Sequence, residues 1–134
     1  MKKLYFSCSV RGGRENLSVY QLCISVLKEK YQILTVHLGA DHIEKLEEKM
    51  TDEQIYLQDR RFLDEAELVV AECSTPSIGV GYELAYAEKR KIPCYILYRE
   101  NGDRKLSAMI SGDSYFQKFP YKDEQELEAI LKKL

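Results

Sequence analysis

The sequence predicts an α/β fold in which helices cover both faces of a parallel sheet. Short apolar runs rich in β-branched and aromatic residues alternate along the chain with stretches whose apolar residues recur at helical spacing. One run, residues 67–73, is almost continuously apolar, which is typical of a strand buried on both faces. We therefore expect one domain over residues 1–134, Rossmann-like (flavodoxin-like), with a five-stranded parallel sheet.

The first half of the chain contains two strand patterns and two helix patterns. Apolar residues repeat at helical spacing from Leu17 to Leu27. Thr51 is followed three residues later by Gln54, which is the spacing of a capping box at the start of a helix. The expected elements are a strand at residues 2–9, a helix at residues 15–31, a strand at residues 32–38 and a helix at residues 51–66.

The second half continues the alternation. After the apolar run the patterns predict, in order, a glycine-bearing loop, a helix from about Gly79 to Lys91, a strand at residues 92–99, a short helix near residues 105–110 and a final strand and helix. Ligands of such folds bind beyond the carboxyl ends of the strands. The loops that follow strands are therefore the candidate binding loops.

Composition limits the function. Basic and acidic residues number 20 and 22, with a net charge of −2, which argues against binding to nucleic acid polymers or to an anionic membrane. The N-terminal apolar run is interrupted by serines and followed by Arg11, so we expect no leader or membrane span and a cytoplasmic protein. His37 and His42 lack companions at ligand spacing, and we expect neither a metal nor another cofactor.

The loop after the first strand, residues 9–15, has the composition of a phosphate cradle. Ser9 offers a hydroxyl group and Arg11 a forked cation. Gly12 and Gly13 would let the backbone approach an anion closely. A glycine turn with solvated arginines explains the same residues, and both interpretations stay open from this loop alone.

The loop after the third strand, residues 74–81, leads directly into a helix. Ser77 and the backbone amides near Gly79 would lie at the N-terminus of that helix, where unpaired N–H groups and the helix dipole favour anions. Two such loops on neighbouring strands make a shared anion site more plausible than either loop does alone.

Two carboxylates occupy unexpected positions on helices. Glu83 lies among the apolar residues of its helix, and we expect the helix dipole to keep it ionised. Asp59 shares a helix face with apolar residues, where a carboxylate is costly unless it is paired or functional. Two carboxylates on neighbouring helices suggest glycosyl chemistry, with a nucleophile and a proton donor. A glutamate that only stabilises its helix and an aspartate in an internal ion pair are the structural alternatives.

The motifs YFSCSVRGGRE, LQDRRFLDEAELVVAE, PSIGVGYELAYA and LSAMI, in that order, resemble the 2'-deoxynucleoside 5'-phosphate N-hydrolases of the nucleoside 2-deoxyribosyltransferase-like superfamily. The resemblance covers nearly the whole chain. It implies cleavage of the N-glycosidic bond of a deoxynucleoside monophosphate, releasing the free base and 2-deoxyribose 5-phosphate.

The resemblance also implies roles for individual residues. Glu83 matches the nucleophile, Asp59 the carboxylate that assists departure of the base, and Tyr5 an active-site tyrosine. The residues that match phosphate contacts are Ser9, Arg11, Ser77, Gly79 and, from the other subunit of a homodimer, Ser107.

The chain departs from the family pattern at one position, where Cys8 replaces a glycine of the first strand. A side chain there would crowd the nucleoside. Two other functions remain as alternatives: a nucleoside 2-deoxyribosyltransferase, which would pass the sugar to a second base and would need no phosphate pocket, and a non-catalytic nucleotide-binding module.

Overall fold

The computed structural model describes residues 1–11 and 13–134, so the predicted substrate contact Gly12 lies outside the described residues. The strands are β1 (Lys3–Ser7), β2 (Gln32–Ile33), β3 (Leu68–Glu72), β4 (Cys94–Arg99) and β5 (Gln117–Tyr121). The α-helices are α1 (Leu17–Leu27), α2 (Ile43–Glu48), α3 (Asp52–Glu65), α4 (Ile78–Lys89), α5 (Ala108–Ser111) and α6 (Glu124–Lys133).

The strands form one five-stranded sheet with the order β2-β1-β3-β4-β5, and every pairing is parallel. This is the strand order of the flavodoxin-like folds, and it confirms the predicted fold class. The order reverses between β1 and β3, and the crevice beyond the carboxyl ends of these two strands is the expected ligand site.

Alternate side chains of β1 enter two separate cores. Leu4 and Phe6 pack with residues of α1 and α6 on one face of the sheet. Tyr5 packs on the opposite face with residues of α3 and α4, including Leu63 and Leu84. Because side chains of a strand alternate between faces, Ser7 shares the face of Tyr5.

The strand predicted at residues 32–38 is wrong in its second half. β2 ends at Ile33, and a short 3-10 helix follows at Val36–Gly39. Thr35 explains the difference: its hydroxyl accepts a hydrogen bond from the Phe6 backbone N–H at 2.9 Å and donates one to the Phe6 carbonyl at 2.7 Å. The side chain thus satisfies the groups that a longer β2 would have paired, and the backbone is free to turn.

The sequence patterns do not predict α2, which has only six residues. Ile43 is its one fully buried side chain, so the segment has almost no apolar periodicity to detect. The capping box at the start of α3 is confirmed: Gln54 N–H donates to Thr51 Oγ1 at 3.1 Å, and Thr51 N–H donates to Gln54 Oε1 at 2.8 Å. None of the helices described in residues 1–11 and 13–134 is long and apolar enough to cross a membrane.

Candidate active site

Glu83 is the sixth residue of α4, and its carboxylate is held by two hydroxyl groups of β1. Tyr5 donates a hydrogen bond to Oε2, and Ser7 Oγ donates to Oε1 at 2.8 Å. Tyr5 and Ser7 are two residues apart in one strand, so both side chains point to the face that α4 covers. A charged residue can lie within the apolar face of α4 because β1 offers one donor to each of its oxygens.

Burial determines the ionisation of Glu83. It raises the pKa of Glu83 to about 7, although the hydrogen bonds from Tyr5 and Ser7 oppose the rise and the nearby charge of Asp59 adds to it. The expectation that the helix dipole keeps Glu83 ionised is therefore wrong. The dipole acts mainly within the first turn, and the carboxylate lies beyond it.

Asp59 lies on the half-buried face of α3, next to the buried Leu63. Burial raises the pKa of Asp59 to about 6; the neighbouring carboxylate of Glu47 adds to the rise, and a hydrogen bond with the Gln58 side chain opposes it. Asp59 and Glu83 line the same cavity. Two carboxyl groups whose pKa values are raised towards neutral pH therefore face one ligand-sized space.

This cavity has a volume of about 580 Å³ and opens at the carboxyl end of β1. Its size suits a small-molecule ligand. Six of the predicted site residues line it, on four different parts of the chain: Tyr5, Arg11, Asp59, Ser77, Gly79 and Glu83.

Arg11 projects at the mouth of the cavity and forms an ion pair with Asp52, the first residue of α3 (Nη2 to Oδ1, 2.8 Å). The two side chains are 69% and 83% exposed, so the pair contributes little to stability. The guanidinium group is therefore available to a stronger anion.

Ser9 belongs to the same loop but is not among the residues that line the cavity. It is fully buried, and its Oγ has no hydrogen-bond partner among the described residues. Arg14 braces the loop by donating to the Ser9 carbonyl at 3.3 Å and to the Leu38 carbonyl at 2.7 Å. The alternative of two solvated arginines in this loop is therefore wrong for Arg14, which holds the loop in place.

Ser77 is the N-cap of α4, and its hydroxyl accepts a hydrogen bond from the Val80 N–H at 3.3 Å. The first N–H groups of a helix have no partner within it, so this end of α4 presents donors to the cavity. A Cβ atom added at Gly79 would meet only Ser77 Oγ, at 3.9 Å, and one added at Gly81 would meet nothing within 4 Å. The space above both glycines is open.

Ser107 lies outside this cavity. It is the N-cap of α5 and lines a second cavity of about 610 Å³ between α4 and α5. Ser77 and Ile78 line both cavities, so the two spaces adjoin at the N-terminus of α4. Within one chain, Ser107 therefore does not face Glu83.

Cys8 directly follows β1 and lines the cavity with Tyr5 and Glu83. Burial raises the pKa of its thiol to about 12, despite the nearby Arg14. The group is thus a neutral, nearly enclosed side chain that narrows the cavity floor.

Sequence reasoning missed two residues of the site. Ser7 could have been found, because a hydroxyl two residues after Tyr5 in a strand must share its face. Glu47 lines the cavity from the end of α2, and no pattern placed that helix near the site.

Comparisons with known proteins agree with this geometry. The family model described as nucleoside 2-deoxyribosyltransferase matches residues 4–123. The human 5-hydroxymethyl-dUMP N-hydrolase is 42% identical over 135 residues, covering 96% of this chain and 76% of the human protein. The enzyme of the same name from Rattus norvegicus is 41% identical over 133 residues, covering 96% of this chain and 81% of its own.

Among solved structures, the CMP N-glycosidase of Clostridium botulinum superposes with a TM-score of 0.68 at 18% identity, covering 97% of each chain, which supports the fold. 5-Hydroxymethyl-dUMP is a 2'-deoxynucleoside 5'-monophosphate, so the named relatives confirm the resemblance to the N-hydrolases drawn from the sequence motifs. On these grounds the chain belongs to the nucleoside 2-deoxyribosyltransferase family.

Proposed function

We propose that this protein hydrolyses the N-glycosidic bond of 2'-deoxynucleoside 5'-monophosphates, releasing the free base and 2-deoxyribose 5-phosphate. One observation carries the proposal: Glu83, held at both oxygens by hydroxyl groups of β1, shares a ligand-sized cavity with Asp59. Two carboxyl groups that flank a glycosidic bond are the usual equipment of glycoside hydrolysis. The named activities of the relatives support the same chemistry.

In the proposed reaction, one oxygen of Glu83 attacks C1' of the sugar and the bond from C1' to the base nitrogen breaks. The electron pair of that bond leaves with the base, which takes a proton from Asp59. Water then attacks C1' of the glycosyl ester, Asp59 takes a proton from that water, and the Glu83 carboxylate is released. The sum is one water consumed for each base released.

The reaction needs Glu83 ionised while Asp59 is protonated. Their pKa values, about 7 and about 6, lie close together, so the pair holds a single proton mainly between these values. The proposed reaction uses the share of molecules in which that proton is on Asp59. Because a carboxylate with a raised pKa is a stronger base, Glu83 also gains nucleophilicity.

The phosphate group would bind between the two loops, at Arg11 and the N-terminus of α4 near Ser77 and Gly79. An exposed, weakly paired guanidinium group and unpaired helix N–H groups both favour an anion. Ser9 would contribute its hydroxyl group, which has no hydrogen-bond partner in the described part of the chain, after a local shift of the loop.

Ser107 would act across a homodimer. Within its own chain it lines the neighbouring cavity and not that of Glu83, which supports a contact with phosphate supplied by a second copy. Two large apolar side chains near the rim support such an interface: Ile78 is 96% exposed and Met109 is 83% exposed.

Substrate assays test the activity. The purified protein is incubated with each deoxynucleoside monophosphate, with its nucleoside and with a free acceptor base, and products are separated by chromatography. We expect free base and 2-deoxyribose 5-phosphate from the monophosphates, unchanged by the acceptor. Transfer of the sugar to the added base would establish the transferase instead, and binding without turnover would establish the non-catalytic module.

A mixing experiment tests the shared site. Glu83→Gln and Ser107→Ala are prepared separately, and the two proteins are then unfolded, mixed in equal amounts and refolded. If Ser107 acts across the dimer, one of the two sites in each hybrid dimer is intact. Hybrids make up about half of the dimers after equal mixing, so about a quarter of all sites recover activity. If Ser107 acts within its own chain, or if the protein is an active monomer in sedimentation, no activity is regained and the shared site is excluded.

A further inference from the structure

Ser7 holds one oxygen of the Glu83 carboxylate from within the protein core. Its side chain is fully buried, and its Oγ donates to Glu83 Oε1 at 2.8 Å. Tyr5 donates to the other oxygen, Oε2, and belongs to the described wall of the cavity, whereas Ser7 does not. The two oxygens of Glu83 therefore have different partners: Oε2 accepts from a hydroxyl group that borders the cavity, and Oε1 accepts from one that does not.

From this asymmetry we infer that Ser7 is a positioning residue that anchors Oε1 of Glu83, so that Oε2 is the oxygen presented to the sugar. The inference rests on the proposed function, because it concerns the attack by Glu83. When Oε2 forms its bond to C1', Oε1 becomes the carbonyl oxygen of the ester and still accepts the hydrogen bond from Ser7. The bond from Ser7 to Oε1 adds to that from Tyr5 in restricting the terminal torsion of the carboxylate, and it continues to do so when Oε2 leaves Tyr5 to attack.

The remaining ionisable groups around Glu83 are few among the described residues. Tyr5 and Cys8 face it from β1 and the loop after it, and Asp59 faces it from α3. Burial raises the pKa of Tyr5 well above its ordinary value and that of Cys8 to about 12, so both are neutral at physiological pH. Asp59, with a pKa of about 6, is present in every variant below and affects each of them alike.

The test is Ser7→Ala, which removes one oxygen atom and no other group. The ionisation of Glu83 is followed by NMR on protein labelled with carbon-13 at the glutamate carboxyl carbon, and its signal is identified by its loss in Glu83→Gln. A donated hydrogen bond favours the charged carboxylate, so we expect the pKa of Glu83 to rise by roughly one to two pH units in Ser7→Ala.

The same variant should lose activity without losing affinity. We expect kcat to fall roughly 10- to 100-fold while KM changes little, because Ser7 does not border the cavity and acts only through Glu83. Ser7→Thr keeps the hydroxyl group and should restore both the pKa of Glu83 and much of kcat.

Ser74→Ala is the matched control. Ser74 Oγ donates at 2.9 Å to Glu72, another buried carboxylate, so this variant removes the same kind of bond elsewhere in the sheet. It should leave the pKa of Glu83 and kcat unchanged. An unaltered pKa of Glu83 in Ser7→Ala, or a shifted pKa with wild-type kcat, would overturn the inference. The titration uses no substrate, so its result does not depend on the proposed function. If the proposed role of Glu83 is wrong, that failure appears separately, because Glu83→Gln then still turns over substrate.

Discussion

Replacing Glu83 with glutamine should stabilise the protein while abolishing its activity. The folded protein raises the pKa of Glu83 from 4.5 to about 7, so it binds the proton of this carboxyl group more tightly than the unfolded chain does. The wild type therefore loses stability as pH rises from about 4.5 through 7, where the buried group is forced to ionise. Glutamine resembles the protonated acid and escapes this loss.

The magnitude follows from the pKa. A rise of about 2.5 pH units corresponds to at most ~3 kcal/mol in the free energy of unfolding above pH 7, or roughly 10 °C in thermal midpoint for a domain of this size. The glutamine amide can accept a hydrogen bond from one hydroxyl group and donate to the other, so the contacts with Tyr5 and Ser7 survive.

Calorimetry at several pH values, combined with turnover on the same preparations, checks both effects. The difference in thermal midpoint between Glu83→Gln and wild type should be near zero at pH 4.5 and reach its maximum above pH 7. Glu29→Gln, which changes an exposed carboxylate, is the control and should show no such growth. A variant with no gain at pH 8, or one that still cleaves substrate at near the wild-type rate, would refute the reasoning.

Three further predictions concern the cavity. First, kcat/KM should be bell-shaped in pH with limbs near 6 and 7, because turnover needs one proton on the pair formed by Asp59 and Glu83; a flat profile from about pH 5 to 9 in initial-rate assays would contradict this pairing. Second, Arg11→Ala should reduce the preference for a 5'-monophosphate over its nucleoside by roughly 10- to 150-fold, which is the loss of one charge-assisted contact; an unchanged ratio of kcat/KM values would exclude Arg11 from the phosphate site. Third, Gly79→Ala and Gly81→Ala should each raise the free energy of unfolding by about 0.5 to 1 kcal/mol in denaturant titrations, since neither added methyl group meets a close neighbour. Only Gly79→Ala should also raise KM, because Gly79 lines the cavity of Glu83; equal effects on KM would show that this distinction is wrong.

The fold was predictable because its signals are local. The alternation of apolar runs and helical spacing, and the pairing of Thr51 with Gln54, depend on residues close together in the sequence. β2 was overestimated because a side chain, that of Thr35, makes the bonds expected of the backbone. A strand pattern in the sequence does not show whether the backbone N–H and carbonyl of Phe6 bond to a neighbouring strand or to a side chain.

The site was predictable only in part, for a physical reason. The positions of Glu83 and Asp59 within apolar helix faces marked them as unusual, and both line the cavity. Their ionisation was not predictable, since it depends on burial by residues distant in the chain. The contact between Ser7 and Glu83 joins residues 76 positions apart, and only the packing of α4 on β1 brings them together.

The ion pair between Arg11 and Asp52 has a consequence for how ligand affinity would respond to salt. A phosphate that binds the Arg11 guanidinium group displaces the Asp52 carboxylate. The arginine is therefore paired with an anion both before and after the ligand binds. Because both side chains are largely exposed, releasing Asp52 costs little. Added salt would weaken the pairing of Arg11 with Asp52 as well as its pairing with phosphate, so the two effects on affinity oppose each other. Capture of the substrate should therefore vary less with ionic strength than capture by an unpaired arginine would.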